Sequence, residues 1–294
     1  MKLAVVGATG FIGRALLTAL SGTPHQVTAV THASPSGNSF GGNIRFTAGD
    51  IHERESLHAA FHGAEAVFHL VGIIAETRKL TFEKTIVGGT RHLVDAACDA
   101  GVKKLIYLSG LGTSANPISK YFRAKWESEI IIRNSGLEYV ILRPSFVFGP
   151  EDKSINRFAK MFRRLPFAPV IGDGRYQVQP LFVGDLVQML ISSLDNARAQ
   201  NQVIEMGGPE IFEFREIVAI IKKSLNIRRV NIYIPFWFMK INAMILEGIM
   251  KPAPVTVDQL KMLQAGSAAD NRLMQEIFNI TLTPFEDKLK EYLR

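Results

Sequence analysis

Tyr121 and Lys125 are the residues of this sequence best suited to proton chemistry. They are four positions apart in a segment with a helical pattern, and this spacing places a phenol and an ammonium on one helix face. A free tyrosine has a pKa near ~10 and is a poor base at neutral pH, whereas a nearby cation favours phenolate and lowers that pKa. We therefore expect Tyr121 to exchange a proton with a substrate, with Lys125 as its electrostatic partner.

A glycine-rich turn near the start of the sequence is typical of a dinucleotide-binding site. Gly7, Gly10 and Gly13 follow the apolar run Leu3–Val6 and precede a helical pattern. Gly7 suits a tight turn, Gly10 a close approach of backbone to pyrophosphate, and Gly13 close packing of helix on strand. Free N–H groups at the start of the helix would face the negative charge. The expected contacts to a nicotinamide dinucleotide are Gly7, Thr9, Gly10, Phe11, Ile12 and Gly13.

The residues after the second apolar run bear on the choice between NADP and NAD. An acid at this position usually binds the ribose hydroxyls of NAD. Thr31, His32, Ala33 and Ser34 stand there instead, and Arg14 lies just beyond the third glycine. A ribose phosphate would meet donors rather than a repelling carboxylate. We expect NADP to be preferred, with NAD as the alternative, and we expect Thr31 and His32 to contact the cofactor.

Strands and helices that alternate along the N-terminal half would position these residues. Six short runs rich in apolar and β-branched residues predict strands at Leu3–Val6, Val27–Val30, Ile44–Thr47, Ala66–Val71, Leu105–Ser109 and Tyr139–Leu142. Helical patterns lie between them at Phe11–Leu20, Arg54–Phe61, Thr85–Ala100 and Lys120–Asn134. Parallel strands require such crossovers. The predicted fold class is therefore α/β, with a Rossmann-like, doubly wound parallel sheet and a smaller C-terminal region on the substrate side.

A second region begins where the rhythm of the sequence changes. Residues 144–150 and 166–174 are rich in proline and glycine. A helix near 187–194 and a strand near 203–206 are expected to return to the sheet. The predicted organisation is an NAD(P)-binding domain over 1–150, joined in part by 178–206, and a smaller region over 207–294, to which 151–177 contribute.

The turn Gly-x-x-Gly-x-x-Gly and the motif Tyr-x-x-x-Lys at 121–125 together resemble the short-chain dehydrogenase/reductase superfamily. Most of the chain takes part in this resemblance, which is to the extended, NAD-dependent epimerase/dehydratase-like members. Residues 207–210 and 252–260 resemble an atypical group that includes a nucleotide-binding accessory subunit of respiratory complex I. The resemblance implies an NAD(P)-dependent oxidoreductase or epimerase in which Tyr121 is the general acid/base and the cofactor carries hydride.

The resemblance also implies further cofactor contacts. These are Asp50 and Ile51 at the adenine, Leu70, Val71 and Gly72 at the turn after the fourth strand, Lys125 at the nicotinamide ribose, and Pro144 in the loop 143–150 that closes over the nicotinamide.

Two departures from the family pattern leave a second hypothesis open. The family has a catalytic hydroxyl near the end of the fifth strand, and Ser109 is expected to supply it, with Thr113 as the alternative. Extended members place this hydroxyl where Leu111 stands, and Ile86 stands where the family often has a structural asparagine. In the second hypothesis the chain is a catalytically silent nucleotide-binding subunit or redox sensor of a membrane-associated complex.

Composition restricts the class of protein further. The formal net charge is +7, but the basic residues are dispersed and no nucleic-acid motif accompanies them, so we expect no nucleic-acid partner. His58 and His62 are interpreted as surface histidines, and no metal site is expected.

Cys98 is the single cysteine and is expected to fill the core. The sequence opens directly on a strand and has no 18-residue apolar run, so we expect a cytoplasmic protein without signal peptide or spanning helix.

Two apolar helical stripes have alternative interpretations. One is formed by Phe158, Met161, Phe162 and Leu165, and the other by 235–239 with Ile241, Met244, Ile245 and Ile249. Core packing is the first interpretation. The alternatives are peripheral contact with a membrane and a pocket for a hydrophobic small-molecule substrate such as a quinone or an isoprenoid.

Overall fold

The computed structural model describes residues 1–32 and 40–293. Its strands are β1 (Lys2–Val6), β2 (Gln26–Thr31), β3 (Ile44–Ala48), β4 (Ala66–His69), β5 (Lys104–Leu108), β6 (Glu138–Pro144), β7 (Val147–Phe148), β8 (Phe167–Ile171), β9 (Gln177–Val178), β10 (Leu181–Phe182), β11 (Gln202–Met206), β12 (Phe212–Glu213) and β13 (Val230–Ile234). Its α-helices are α1 (Phe11–Leu20), α2 (Arg54–Ala60), α3 (Gly89–Asp99), α4 (Lys120–Arg133), α5 (Ser154–Arg164), α6 (Val183–Ser192), α7 (Phe214–Ser224), α8 (Phe236–Ile249), α9 (Val257–Ala265), α10 (Arg272–Phe278) and α11 (Phe285–Tyr292). A π-helix covers Glu83–Gly88 and a short 3-10 helix covers Ala197–Ala199.

The chain divides into two compact units, and it passes between them several times. The first unit comprises Met1–Arg143, Val187–Ile204 and Glu276–Phe278. The second and smaller unit comprises Pro144–Leu186, Glu205–Gln275 and Asn279–Arg294.

A seven-stranded sheet in the order β11-β6-β5-β4-β1-β2-β3 forms the centre of the first unit. The pairs β1–β2, β1–β4, β2–β3, β4–β5 and β5–β6 are parallel. Strand order reverses between β1 and β4, which makes the sheet doubly wound. In sheets of this kind ligands bind outside the carboxyl ends of the strands at the point of reversal. Leu3–Val6 are buried because helices cover both faces of such a sheet. The predicted fold class is confirmed.

Local structure departs from the sequence prediction at two crossovers. The fourth strand ends at His69, two residues before the predicted end. The helix predicted over Thr85–Ala100 begins as the π-helix and becomes α-helical only at Gly89. The carbonyl of Ile86 accepts hydrogen bonds from the Thr90 and Ser128 hydroxyls at 2.6 and 3.1 Å, so these side chains satisfy a carbonyl in this irregular stretch.

Cys98 does not fill the core, and that prediction is wrong. Its side chain is exposed on α3, whereas Ala96 and Ala97 are buried on the other side of the helix. The 3.6-residue period of a helix turns adjacent positions to different faces, so apolar neighbours in sequence do not imply burial.

The second unit has its own apolar core between short strand pairs and helices. The strand pairs are β7–β10, β8–β13 and β9–β12. Phe162 on α5 is fully buried in this core, and Phe158 and Met161 pack against it. The apolar stripe of α5 is therefore a core face, as the first interpretation held. The exposed apolar residues of α8 behave differently and are described below.

Candidate functional site

The turn between β1 and α1 needs glycine for steric reasons. Gly7 has a φ of +90°, and a Cβ added there would lie 2.9 Å from the carbonyl carbon of Leu70. A Cβ added to Gly13 would overlap the carbonyl oxygen of Gly7, so α1 packs directly on the turn. Among the described residues, a Cβ added to Gly10 would make one tight contact, 3.3 Å from the Gly7 carbonyl oxygen. Packing therefore constrains Gly10 less than Gly7 or Gly13, and its other side is open to a ligand.

The start of α1 presents an electropositive surface. Gly10 caps the helix without a side-chain hydrogen bond, and its first turn contains no acidic residue. The N–H groups of the first turn of a helix have no partner within the helix and carry its partial positive charge. Thr9 and Gly10 are exposed here, and Phe11 and Ile12 are half-buried. These features fit the pyrophosphate of a dinucleotide.

The ends of β2 and β3 bring a histidine close to a carboxylate. Thr31 is buried at the end of β2, and the Nδ1 of exposed His32 lies 3.6 Å from an oxygen of Asp50. Asp50 also accepts a hydrogen bond from the His52 N–H at 2.8 Å, and Ile51 is buried. The sequence places no acid directly after β2, but the fold brings Asp50 from β3 to that edge. Ala33 and Ser34, which belong to the same prediction, lie outside the described residues.

The segment after β4 joins the glycine turn to the predicted catalytic helix. Leu70, Val71 and Gly72 follow this strand, and the N–H of Leu70 donates to the Val6 carbonyl at 2.9 Å. A Cβ added to Gly72 would lie 3.6 Å from the Nζ of Lys125. The absence of a side chain at Gly72 therefore leaves space beside the Lys125 ammonium.

Helix α4 holds Tyr121 and Lys125 on one side, as their spacing predicts. Ser119 caps the helix by accepting from the Phe122 N–H. Lys125 is buried, and its Nζ donates to the Leu108 carbonyl at 2.8 Å. The same Nζ lies 5.9 Å from the ring centroid of Tyr121 and 4.7 Å from that of Tyr107. Tyr121 and its predicted electrostatic partner, Lys125, are thus neighbours at the carboxyl end of β5.

The expected lowering of the Tyr121 pKa is wrong for this structure. Burial raises the pKa of Tyr121 to about 12, because the phenolate loses its hydration. Burial also lowers the pKa of Lys125 to about 7, and the negative charge of Glu129 opposes this change. A lysine that is only partly charged near neutral pH stabilises a phenolate weakly. Tyr121 is therefore protonated at neutral pH and suited to donate its proton.

Ser109 faces a carboxylate that sequence reasoning did not single out. The Oγ of this buried serine donates to Glu129 at 2.6 Å and lies 3.4 Å from the Oγ1 of Thr113. Its one hydroxyl proton is therefore used within the protein. Leu111, at the position where the family resemblance leads us to expect the hydroxyl, is half-buried, and Ile86 is buried.

Glu129 is the centre of a buried ionic cluster. No part of its side chain reaches solvent, and Arg143 binds it through two hydrogen bonds of 2.9 and 2.7 Å. Arg133 contributes a third, at 2.7 Å. Both guanidinium groups lie over the ring of Trp126, at 5.2 and 6.0 Å. The sequence signal was the four-residue spacing of Glu129 and Arg133, but on a helix this spacing usually indicates an exposed pair.

His69 is a second functional-site neighbour that the sequence did not reveal. It is fully buried at the end of β4, and its Nε2 lies 2.9 Å from the Thr90 Oγ1. Burial and the charge of Lys125 hold the pKa of His69 well below its ordinary value, so it is neutral. Its ring lies 4.9 Å from that of Tyr107. These groups form the buried surroundings of Lys125.

Three remaining predictions concern residues outside this arrangement. Pro144 is the last residue of β6 and belongs to the second unit. His58 and His62 are both exposed, and α2 ends before His62. Residues 1–32 and 40–293 contain no cluster of three side chains able to hold a metal ion.

A family model described as the NAD dependent epimerase/dehydratase family matches residues 3–207. The chain belongs to this family. This epimerase/dehydratase family protein is also similar to curated proteins named NADH dehydrogenase [ubiquinone] 1 alpha subcomplex subunit 9, mitochondrial. The protein of that name from Dictyostelium discoideum is 30% identical over 294 residues, which covers 97% of this chain and 82% of the relative. The one from Arabidopsis thaliana is 27% identical and is covered to 75%.

Solved structures of nucleotide-sugar enzymes share the fold of this epimerase/dehydratase family protein. A UDP-glucuronic acid 4-epimerase from Bacillus cereus, in complex with UDP-glucuronic acid and NAD, superimposes with a TM-score of 0.78 at 20% identity. The superposition covers all of this chain and 99% of the epimerase chain. A dTDP-glucose 4,6-dehydratase from Streptomyces venezuelae gives a TM-score of 0.79 at 21% identity, with 100% and 96% of the two chains covered.

Proposed function

We propose that this chain binds a nicotinamide dinucleotide and acts as an oxidoreductase or epimerase on a small molecule. The observation that carries the proposal is the geometry of Tyr121 and Lys125. The two side chains lie together at the carboxyl end of the sheet, and Gly72 leaves room beside the Lys125 ammonium. The crevice at a strand-order reversal is where ligands of such sheets bind.

The proposed cofactor contacts follow the glycine turn and the neighbouring strand ends. Gly7, Gly10 and Gly13 would hold the pyrophosphate against the start of α1, with Thr9, Phe11 and Ile12 beside it. Thr31, His32, Asp50 and Ile51 would line the adenosine end, and Leu70, Val71, Gly72, Lys125 and Pro144 the nicotinamide end. A bound nicotinamide dinucleotide supplies a hydride donor or acceptor.

Tyr121 would supply the proton that accompanies such a transfer. With a pKa of about 12 it is protonated at neutral pH, and as a general acid it would donate its proton to a carbonyl oxygen of the substrate. Lys125 would orient the cofactor ribose, and in its protonated form it would offset charge left on Tyr121. Ser109 would help to position Glu129 and would not contact the substrate, because its hydroxyl donates to that carboxylate.

We also propose that NADP is preferred over NAD. His32 and Arg14 would offer hydrogen-bond donors to a ribose phosphate. The Asp50 carboxylate near His32 would instead repel that phosphate. Asp50→Asn should therefore increase the ratio of NADPH to NADH affinity, measured by fluorescence titration. An unchanged ratio would count against this arrangement of the adenosine end.

The proposed organisation assigns dinucleotide binding to 1–150, with part of 178–206, and the substrate side to 207–294 with 151–177. We propose a hydrophobic carbonyl or alcohol, such as a quinone or an isoprenoid, as the substrate class, and the carbonyl panel described below includes such compounds. The proposed location is the cytoplasm, a reducing compartment that suits a chain with one cysteine. The curated relatives, by contrast, are named as mitochondrial proteins.

The nucleotide-binding experiment uses two glycine variants of equal size change. Gly10→Val adds a side chain on the open side of the turn, whereas Gly42→Val adds one where an added Cβ would meet no atom of residues 1–32 and 40–293. We expect Gly10→Val to lose at least about tenfold in affinity for NADPH and NADH, and Gly42→Val to retain wild-type affinity. If the wild-type chain binds neither nucleotide, the central proposal fails.

The catalytic experiment measures hydride exchange with a panel of carbonyl compounds. Tyr121→Phe should lower kcat by about 100-fold or more at unchanged nucleotide affinity, because it removes the proton donor. Tyr139→Phe, a half-buried tyrosine on β6, is the matched control and should retain wild-type rates. Equal rates in both variants would exclude Tyr121 from the reaction.

A second candidate function is a silent nucleotide-binding subunit of a larger complex. Two observations favour it: the hydroxyl of Ser109 is bound by Glu129, and the relatives include named subunits of NADH dehydrogenase. Tight nucleotide binding without turnover on any carbonyl compound would support this alternative. Turnover that depends on Tyr121 would exclude it.

A further inference from the structure

Helix α8 in the second unit is apolar on both of its sides. Phe236, Met239, Ala243 and Leu246 recur at helical spacing and are buried or half-buried. The opposite side carries exposed apolar side chains: Trp237, Phe238, Ile241, Met244, Ile245 and Ile249. A helix that is apolar all round normally has all its sides covered. In the part of the chain that the structure describes, one side of α8 is uncovered.

Strand β13, which precedes α8 in the chain, also carries exposed apolar side chains. Val230, Ile232 and Tyr233 on this strand are exposed together with the outer side of α8. The exposed fractions of Val230, Trp237 and Ile249 are 76%, 65% and 73%. Single exposed apolar residues are ordinary on protein surfaces, whereas six of them on one side of a helix indicate an interaction surface. We call these nine residues of α8 and β13 the α8 face.

Charges on the segment that carries the α8 face are predominantly basic. Residues 228–251 contain four basic residues and one acidic residue. The acidic one, Glu247, accepts a hydrogen bond from the Val257 N–H at 2.9 Å and so faces the start of α9. Arg228, Lys240 and Lys251 are exposed. The surface therefore combines apolar side chains with positive charge.

A cavity of about 470 Å³ adjoins this face where β13 begins. Lys222, Lys223, Arg228 and Arg229 line it together with Ala219, Ile227 and Val230. Lys222 donates to Asn231 and Lys223 pairs with Glu286, so both ammonium groups have partners. The Arg228 guanidinium has no hydrogen-bond or ionic partner among residues 1–32 and 40–293. It is therefore available to an anionic group next to the apolar surface.

The dimensions of α8 fit a position along a membrane surface. Its 14 residues extend about 21 Å, which is shorter than the roughly 30 Å hydrocarbon layer of a bilayer. No helix among the described residues is long and apolar enough to cross a membrane. Short helices with apolar, aromatic and basic residues lie within the interface, with the aromatic side chains at the headgroup level.

We propose that the α8 face rests on the surface of an anionic phospholipid bilayer. Its apolar side chains would enter the boundary of the acyl region, and Arg228, Lys240 and Lys251 would bind lipid phosphates. Charge complementarity favours this occupant over a second copy of the chain, because two basic rims would repel each other across the contact. The α8 face would bind the bilayer whether or not a nucleotide is bound.

The test is flotation of the full-length protein with two kinds of vesicle. One kind contains phosphatidylcholine alone, and the other contains phosphatidylcholine with phosphatidylglycerol. We expect binding to the anionic vesicles, a blue shift of the tryptophan fluorescence on binding, and loss of binding at high salt. The double variant Trp237→Ser/Ile245→Ser should bind at least about tenfold more weakly. Arg228→Ser and Lys240→Ser should each lower binding by about fivefold.

Ile211→Ser is the matched control, since Ile211 is an exposed isoleucine of the same unit outside the α8 face. It should bind vesicles as the wild type does. All variants replace exposed side chains, and their urea midpoints should match the wild type. Failure of the wild type to float with anionic vesicles would overturn the proposal, as would equal binding by the double variant. A third outcome is a wild type that is dimeric and does not bind vesicles, together with a double variant that is monomeric. That result would assign the α8 face to self-association and overturn the proposal.

Discussion

Glu129 shows how a single buried charge can organise the surroundings of a candidate active site. Ser109, Arg133 and Arg143 all donate to its carboxylate, and its negative charge favours the protonated form of nearby Lys125. A carboxylate without contact to water is costly unless every lone pair has a donor. The same bonds that stabilise it also fix the orientation of Ser109.

Glu129→Gln should lower the free energy of unfolding by about 3 kcal/mol, because it leaves two guanidinium groups facing a neutral amide. The value lies at the lower end of the range for buried pairs, since Arg133 reaches solvent. Urea unfolding measures the change. Glu127→Gln, two positions earlier on α4 and half-buried, is the control and should change stability by less than about 0.5 kcal/mol. Equal effects of the two variants would show that the ionic cluster contributes little.

The sequence did not reveal this cluster because its members look like surface residues. Glu129 and Arg133 have the spacing of an exposed helical ion pair, and Arg143 is on a different element. Only the packing of β6 beside α4 converts the pair into a buried site. Tyr121 and Lys125, by contrast, were found because both their spacing and their chemistry lie within one helix.

At the level of elements, the π-helix depends on side chains from two helices. The Ile86 carbonyl accepts from Thr90 on α3 and from Ser128 on α4. The Thr90 hydroxyl donates its proton to the Ile86 carbonyl. The Thr90 oxygen is therefore the acceptor for neutral His69, which donates to it from Nε2. The strands were predictable because their apolar runs are local. The π-helix was not, because Ser128 comes from a distant part of the sequence.

Two threonine variants test whether these contacts stabilise the element. Thr90→Val removes the partner of buried His69 and should cost about 1–3 kcal/mol. Thr85→Val, at a buried site in the π-helix, removes a hydroxyl that has no hydrogen-bond partner among the described residues. This second change should be neutral or stabilising by up to about 1 kcal/mol. Urea unfolding compares the two, and a loss at Thr85 as large as that at Thr90 would contradict the assigned hydrogen bonds.

At the scale of the whole molecule, the buried Lys125 couples folding to pH. Its pKa is about 7 in the folded chain, and its ordinary value is 10.5. Between these values the unfolded chain binds a proton that the folded chain does not, so a rise in pH favours folding. Buried tyrosines with raised pKa act in the opposite direction, but only above about pH 10.

The free energy of unfolding of the wild type should therefore rise between pH 7.5 and 9.5 relative to Lys125→Met, by up to about 1.4 kcal/mol per pH unit. Urea unfolding at several pH values measures the difference in slope. Lys120→Met replaces an exposed lysine at the start of the same helix and should follow the wild type. Parallel slopes for the wild type and Lys125→Met would mean that Lys125 remains charged in the folded protein.

The first unit is built from three separate segments of the chain, and this has a consequence during protein synthesis. β6 has β5 on one side and receives β11 on the other, where Asn201 donates to and accepts from the backbone of Tyr139. Until Met206 has left the ribosome, the nascent sheet carries β6 as an open edge. An unpaired edge of this kind is a site for wrong pairing with other chains. Translation speed and chaperones that shield this edge should therefore influence how much of the protein reaches its native state.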